Sequence, residues 1–194
     1  ALDDLERAID HSQGHVSWYQ LTIEPNTTFW SRPPRLPSDD ILTDIQDAGE
    51  ARFLESGLTQ YEVSAWASHQ QMSQHNLNYW TFGDYIGIGA GAHGKITKEN
   101  GSIIRTRRSR SPRDYLTGIA EGVPPHQQQL PQTELPVEFM LNALRLKNGV
   151  PASLFKANTG LELAVVEPQI EKLVANGLLS ADTERIGTTD HGYR

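Results

Sequence analysis

The stretch "DYIGIGAGAHGKITKENGS", residues 84–102, constrains this chain more than any other. Gly89-Ala90-Gly91-Ala92-His93-Gly94 is a formal match to the G-x-G-x-x-G dinucleotide fingerprint. That fingerprint works only where a strand ends and a helix begins, because the helix N-terminus holds the pyrophosphate. Here Gly94 runs into "KIT", then Glu99-Asn100-Gly101, then "SIIRT": two β-prone runs around a hairpin turn. The acidic residue expected about 20 positions on falls instead among Arg108–Ser111. The nucleotide reading fails on context. The alternative is that small residues let two backbones, or a backbone and a flat ligand, approach closely.

Bulk properties narrow the class. With 194 residues the chain makes one large or two small domains. Against 24 acidic residues stand 17 basic ones, a net charge of −7, which argues against a nucleic-acid partner. There is no cysteine, so neither a disulfide framework nor a thiolate-held cluster forms within these residues. No apolar run reaches the length of an integral membrane segment and no secretory signal is visible, so a cytoplasmic protein is expected. The chain opens without Met, inside a helical pattern, and ends on a turn; the expectation is a piece of a longer protein.

Periodicity predicts a helix over residues 2–12, a strand over 15–23, and a proline-rich loop at 24–40. A helix at 41–55 follows, striped by Ile41, Leu42, Ile45, Ala48 and Phe53, and then a strand at 60–67. Helix–strand repetition is the rhythm of an α/β sheet or barrel. Residues 69–84 read as irregular or a short helical turn, and a short helix is expected near 112–121. The Pro- and Gln-rich 123–132 reads as a linker. Beyond it, helices at 133–149, 151–160 (with Pro151 at its start) and 162–177 (interrupted at Pro168) precede a short β-wing, a winged-helix arrangement. A DNA-binding role for it fails on charge, since residues 162–177 carry three glutamates and one lysine.

"YQLTIEPNT", "QYEVSAWA", "HNLNYW", "DYIGIGAGAHG" and "LRLKNGV" occur in the order and spacing of the oxygen-independent coproporphyrinogen III oxidase family of radical SAM proteins. The chain most resembles the HemW-like branch, the haem chaperones, over nearly its whole length, because "HNLNYW" resembles that branch's H-N-x-x-Y-W motif. The resemblance implies an α/β fold: the last strands and helices of a partial (β/α)6 radical SAM barrel and its extension (residues 1–122), followed by a small helical winged-helix-like C-terminal domain (residues 131–194). It implies S-adenosylmethionine and a [4Fe–4S] cluster in the longer protein. The cluster's C-x-x-x-C-x-x-C is absent here, so this stretch is expected to be inactive alone. It implies haem or porphyrin and haem-receiving enzymes as partners, and it admits a homodimer.

The residues that would carry this chemistry follow. His75 is a candidate axial ligand to haem iron. Asn76 is placed to orient it, and Tyr79 and Trp80 to present flat faces to a porphyrin. The same aromatics, with Phe82, could instead pack over the open side of the barrel. By resemblance, Thr22 at the end of the first strand and the backbone at Ala92 and His93 lie near bound S-adenosylmethionine or a second ligand. His93 has a plainer alternative as a hydrogen-bonded residue in a tight turn. Glu24 and Glu62 are expected at strand ends, where barrels place functional groups; salt bridges or helix caps are the alternative. Tyr61 is equally open. Arg105, Arg107, Arg108, Arg110 and Arg113 could meet propionates or form a solvated run. Two functions follow: a haem-binding and haem-delivering protein, or part of a coproporphyrinogen III oxidase that decarboxylates propionates.

Overall fold

The computed structural model describes all 194 residues, which divide into two compact units, Ala1–Ser73 and Gln74–Arg194. The first contains α1 (Leu2–His11), β1 (His15–Ser17), α2 (Thr28–Ser31), α3 (Asp39–Glu55), β2 (Thr59–Glu62) and β3 (Ala65–Ala67). Its sheet has the order β1-β3-β2 and both pairings are antiparallel.

Two strand expectations change here. The strand expected over 15–23 stops at Ser17, because its partner β3 is only three residues long. Beyond it the Trp18 amide still reaches the Ser64 carbonyl at 2.8 Å, but Tyr19 and Leu21 are exposed. The single strand expected over 60–67 is a hairpin, β2 and β3, turning at Val63-Ser64.

α1 and α3 cover this sheet through a core of Leu5, Val16, Phe53, Leu58 and Trp66. Phe53 stacks on Trp66 with ring centroids 4.5 Å apart, and the edge of Trp18 meets both rings at 5.7 Å. Gly49, buried on the same side of α3 as Phe53, makes room for Trp18: a Cβ there would lie 2.2 Å from the indole. Of the expected stripe on α3, Phe53 is fully buried while Ile41 is half exposed.

The second unit begins with α4 (Gln74–Trp80) and continues through β4 (His93–Thr97), β5 (Ile103–Arg107), α5 (Pro112–Ala120) and β6 (His126–Gln129). β4, β5 and β6 form an antiparallel sheet in that order, and the expected turn lies between β4 and β5, with Gly101 at φ 80°. The segment expected to be a linker is therefore a strand. Polar Gln127, Gln128 and Gln129 pair with β5 while their side chains stay in solvent, so composition hid an edge strand.

Next come α6 (Leu135–Ala143), β7 (Val150–Pro151), α7 (Ser153–Thr159), a 3-10 turn (Leu163–Val165), α8 (Glu167–Ala175), β8 (Arg185–Ile186) and α9 (Asp190–Tyr193). The helix expected over 133–149 ends at Ala143, since the chain must turn at Gly149 to bring Val150 opposite Ile186. Pro151 lies in β7 rather than at a helix start, and Pro168 opens α8 instead of interrupting it. The core of this unit is centred on Phe82, Ile103, Phe139, Val150 and Phe155, with Phe139 edge-on to both Phe82 and Phe155.

Gly49→Ala should lower stability although alanine favours a helix, because the new methyl displaces the Trp18 ring. The expected cost is about 1–3 kcal/mol, read by thermal unfolding, with altered tryptophan fluorescence reporting the first unit.

Candidate functional site

α4 presents two unlike faces. Leu77 and Trp80 pack against the core of the second unit, and the Arg145 guanidinium lies 4.2 Å over the Trp80 ring. The Trp80 indole nitrogen is buried without a hydrogen-bond partner. His75 and Tyr79, four residues apart and so neighbours on a helix surface, meet edge to face at 4.6 Å. His75 is exposed and Tyr79 half-buried.

A chain of contacts fixes Tyr79. Its ring lies 4.2 Å from that of Tyr85, whose hydroxyl accepts a 2.7 Å hydrogen bond from Arg105; Arg105 is itself paired with Glu138 of α6. Burial pushes the Tyr85 hydroxyl up; the Arg105 charge opposes this without reversing it, so the phenol stays neutral at physiological pH. Arg105 is thus a tethered residue and not part of a solvated arginine run.

The end of α4 is locked by a second set of contacts. The Gly83 amide donates to the Asn78 carbonyl at 2.7 Å and the Phe82 amide to that of Tyr79 at 2.9 Å, with Phe82 left-handed at φ 61°. Glycine normally occupies such a position. Phenylalanine is kept because its ring is needed in the core, where it is 2% exposed. Lys95 of β4, also 2% exposed, lies over that ring, donates to the Phe82 carbonyl at 3.0 Å and to the Asp84 carboxylate at 2.8 Å. Asp84 further accepts from the Thr97 amide at 2.7 Å and from its hydroxyl at 2.9 Å. Burial pushes the Asp84 carboxyl up, but the Lys95 and Thr97 hydrogen bonds together with the lysine charge outweigh it and hold the carboxyl below its ordinary value.

The glycine stretch is a close-packed backbone crossing. A Cβ on Gly87 would lie 2.2 Å from the His93 carbonyl oxygen, and one on Gly94 would lie 2.5 Å from the Thr106 hydroxyl. The loop is tied by the Gly91 amide to the Ser109 carbonyl at 2.6 Å, and by the Arg108 amide to that of Ala92 at 2.9 Å. A strand, β4, follows it where a nucleotide site needs a helix.

The remaining candidates are dispersed. Ala92 is half-buried in the loop, and His93 is exposed at the first position of β4, opposite Arg107. Thr22 is exposed and lies outside any strand, because β1 ends five residues earlier. Glu24 is likewise in a loop, its carbonyl accepting from the Thr27 hydroxyl. Glu62 does end β2 and is almost wholly buried, while the Tyr61 hydroxyl lies 2.9 Å from the His15 ring. Asn76 is half-buried on α4. Sequence reading missed Tyr85, Asp84, Lys95 and Glu138; the lysine within an otherwise β-prone "GKIT" was the one available signal. No group of three or more His, Asp or Glu side chains gathers as a metal site, and without cysteine no residue here fits a thiolate-held cluster.

The fold falls in a known class. It superposes, with a TM-score of 0.72 over 99% of this chain and 48% of the other, on a structure described as "Coproporphyrinogen III oxidase (HemN) from Escherichia coli is a Radical SAM enzyme", at 16% sequence identity. The arrangement is therefore the α/β fold found in part of that enzyme. The HemN C-terminal domain family matches residues 130–194. The chain is 47% identical over 99% of its length to the "Heme chaperone HemW" of Escherichia coli, and 43% identical to that of Haemophilus influenzae. It is also 32% identical over 98% of its length to a protein of the same description from Mycobacterium tuberculosis. It spans about half the length of these relatives, 50%, 49% and 48% of each. Over its whole length the chain is thus similar to about half of each of these proteins described as haem chaperones.

The lowered Asp84 pKa predicts a signed pH effect. Its contribution to stability is complete above the ordinary carboxyl value of 3.8 and is lost as pH falls through the lower folded value. Thermal melts of the native chain and Asp84→Asn should differ near neutrality and converge on acidification below that value.

Proposed function

We propose that the chain is part of a haem-binding and haem-delivering protein, with His75 as the residue that takes the iron and Tyr79 as the ring that sets the imidazole. The carrying observation is that His75 is exposed on a helix whose other face is committed to the core, and is held edge-on by Tyr79. An exposed imidazole is a group that would hold haem iron, and bound haem would supply redox and ligand-exchange chemistry. On this reading Asn76 and Trp80 belong to the same surface, with Trp80 packed toward the core and one face of its ring covered by Arg145. The relatives described as haem chaperones support it.

The longer protein would carry S-adenosylmethionine and the [4Fe–4S] cluster on residues outside this chain, with Thr22, Ala92 and His93 toward the ligand side. Residues 1–122 would be the end of the partial barrel and its extension. Residues 131–194 would be the winged-helix-like domain, supported by α6, α7 and α8 together with the β7–β8 pair. No helix is long and apolar enough to cross a membrane; a cytoplasmic site of action, with haem enzymes as recipients, completes the proposal. The oxidase alternative draws on the fold likeness.

Haem added to the chain should give a shifted Soret band. His75→Ala should weaken binding by at least about tenfold, or ~1.4 kcal/mol, while the exposed control His69→Ala leaves it unchanged. Equal binding by the His75 variant would refute the ligand assignment. Anaerobic turnover of coproporphyrinogen by the longer, cluster-reconstituted protein would favour the oxidase instead.

A further inference from the structure

A second feature lies apart from the His75 surface, at the end of the β4–β5–β6 sheet. Arg107 closes β5 directly opposite His126 of β6. Both line a pocket of about 360 Å³ together with Arg108, Tyr115, Ile119 and Val123. Arg107 is exposed and has no ion-pair partner; Arg108 has only a 3.5 Å contact from Nη1 to the Val123 carbonyl. Four other bases of this unit are ion-paired, Arg105 with Glu138, Lys95 with Asp84, Lys147 with Asp190 and Lys156 with Glu162. Arg107 and Arg108 thus bring two adjacent guanidiniums without an ion pair to the rim of one pocket.

We propose that this pocket binds a small monocarboxylic acid carried on a short apolar body. The guanidinium fork matches a carboxylate in geometry and charge. Tyr115, Ile119 and Val123 supply an apolar wall, and the volume lies at the lower end of the range for small-molecule pockets. Asp114 also lines the pocket. One carboxylate against two guanidiniums leaves a net attraction for a single negative charge and disfavours a second. The site does not depend on haem binding by His75.

The test is a 1H–15N titration of the chain with 3-phenylpropionate and, in parallel, with the neutral 3-phenylpropionamide. The acid should shift the amides of Arg108, Ser109, Gly118, Val123 and His126 with millimolar saturation, and the amide should bind about tenfold more weakly. The doubly substituted Arg107→Gln/Arg108→Gln chain should lose the acid's preference, Asp114→Asn should tighten it severalfold, and Arg113→Gln, outside the lining, should leave it unchanged. Should the double variant unfold, the acid–amide comparison and Asp114→Asn still decide. Equal binding of acid and amide, no saturable shift, or shifts gathered instead on a separate apolar pocket lined by Val137 and Met140 of α6 and Ile170 and Leu173 of α8 would overturn the proposal.

Discussion

The second unit depends on a buried cation. Lys95 enters from β4 into a place that is almost dry, where an unpaired ammonium would be prohibitive. It is tolerated because the Phe82 carbonyl, the Asp84 carboxylate and the Phe82 ring surround it. These partners follow directly on α4, so satisfying the lysine also fixes where that helix ends. Phe82 can then hold a left-handed backbone, at a cost of order 1–2 kcal/mol for a non-glycine residue, because core burial of its ring offsets it.

From that anchor the His75 surface is built outward. Leu77 and Trp80 turn one side of α4 to the core, which leaves His75 and Tyr79 outward. Tyr79 would be free to change rotamer were it not backed by Tyr85, and Tyr85 is itself held through Arg105 to Glu138 on α6. A residue displayed to solvent is thus oriented by a series of contacts that ends on a distant helix. This is how an exposed imidazole is given direction without being buried.

Much of the fold was legible. The bounds of α1, α3 and α5 follow from amphipathic spacing and stop signals, and the β4–β5 turn from Glu99-Asn100-Gly101. The tight glycine crossing was legible because the residues after Gly94 are β-prone. β6 was not, since three glutamines on an edge strand look like a linker until a partner offers its hydrogen bonds. Nor was the break in the strand expected over 15–23, which is decided by the length of β3. At the site, His75 and Tyr79 could be named from "HNLNYW"; their support, spread over residues 84–138, could not.

The sequence by itself determined the helices α1, α3 and α5, where the β4–β5 hairpin turns, that no thiolate chemistry resides in these residues, and which hexapeptide carries the imidazole and its aromatics. All of these are local or compositional properties, read from periodicity, turn chemistry and residue type. Only the tertiary structure decided which aromatic joins His75 and which joins the core, that Lys95 is buried and satisfied, and that Arg105 is tethered while Arg107 is not. Those outcomes depend on pairings between residues distant in the chain, and pairing energies between such residues leave no periodic trace in the order of the amino acids.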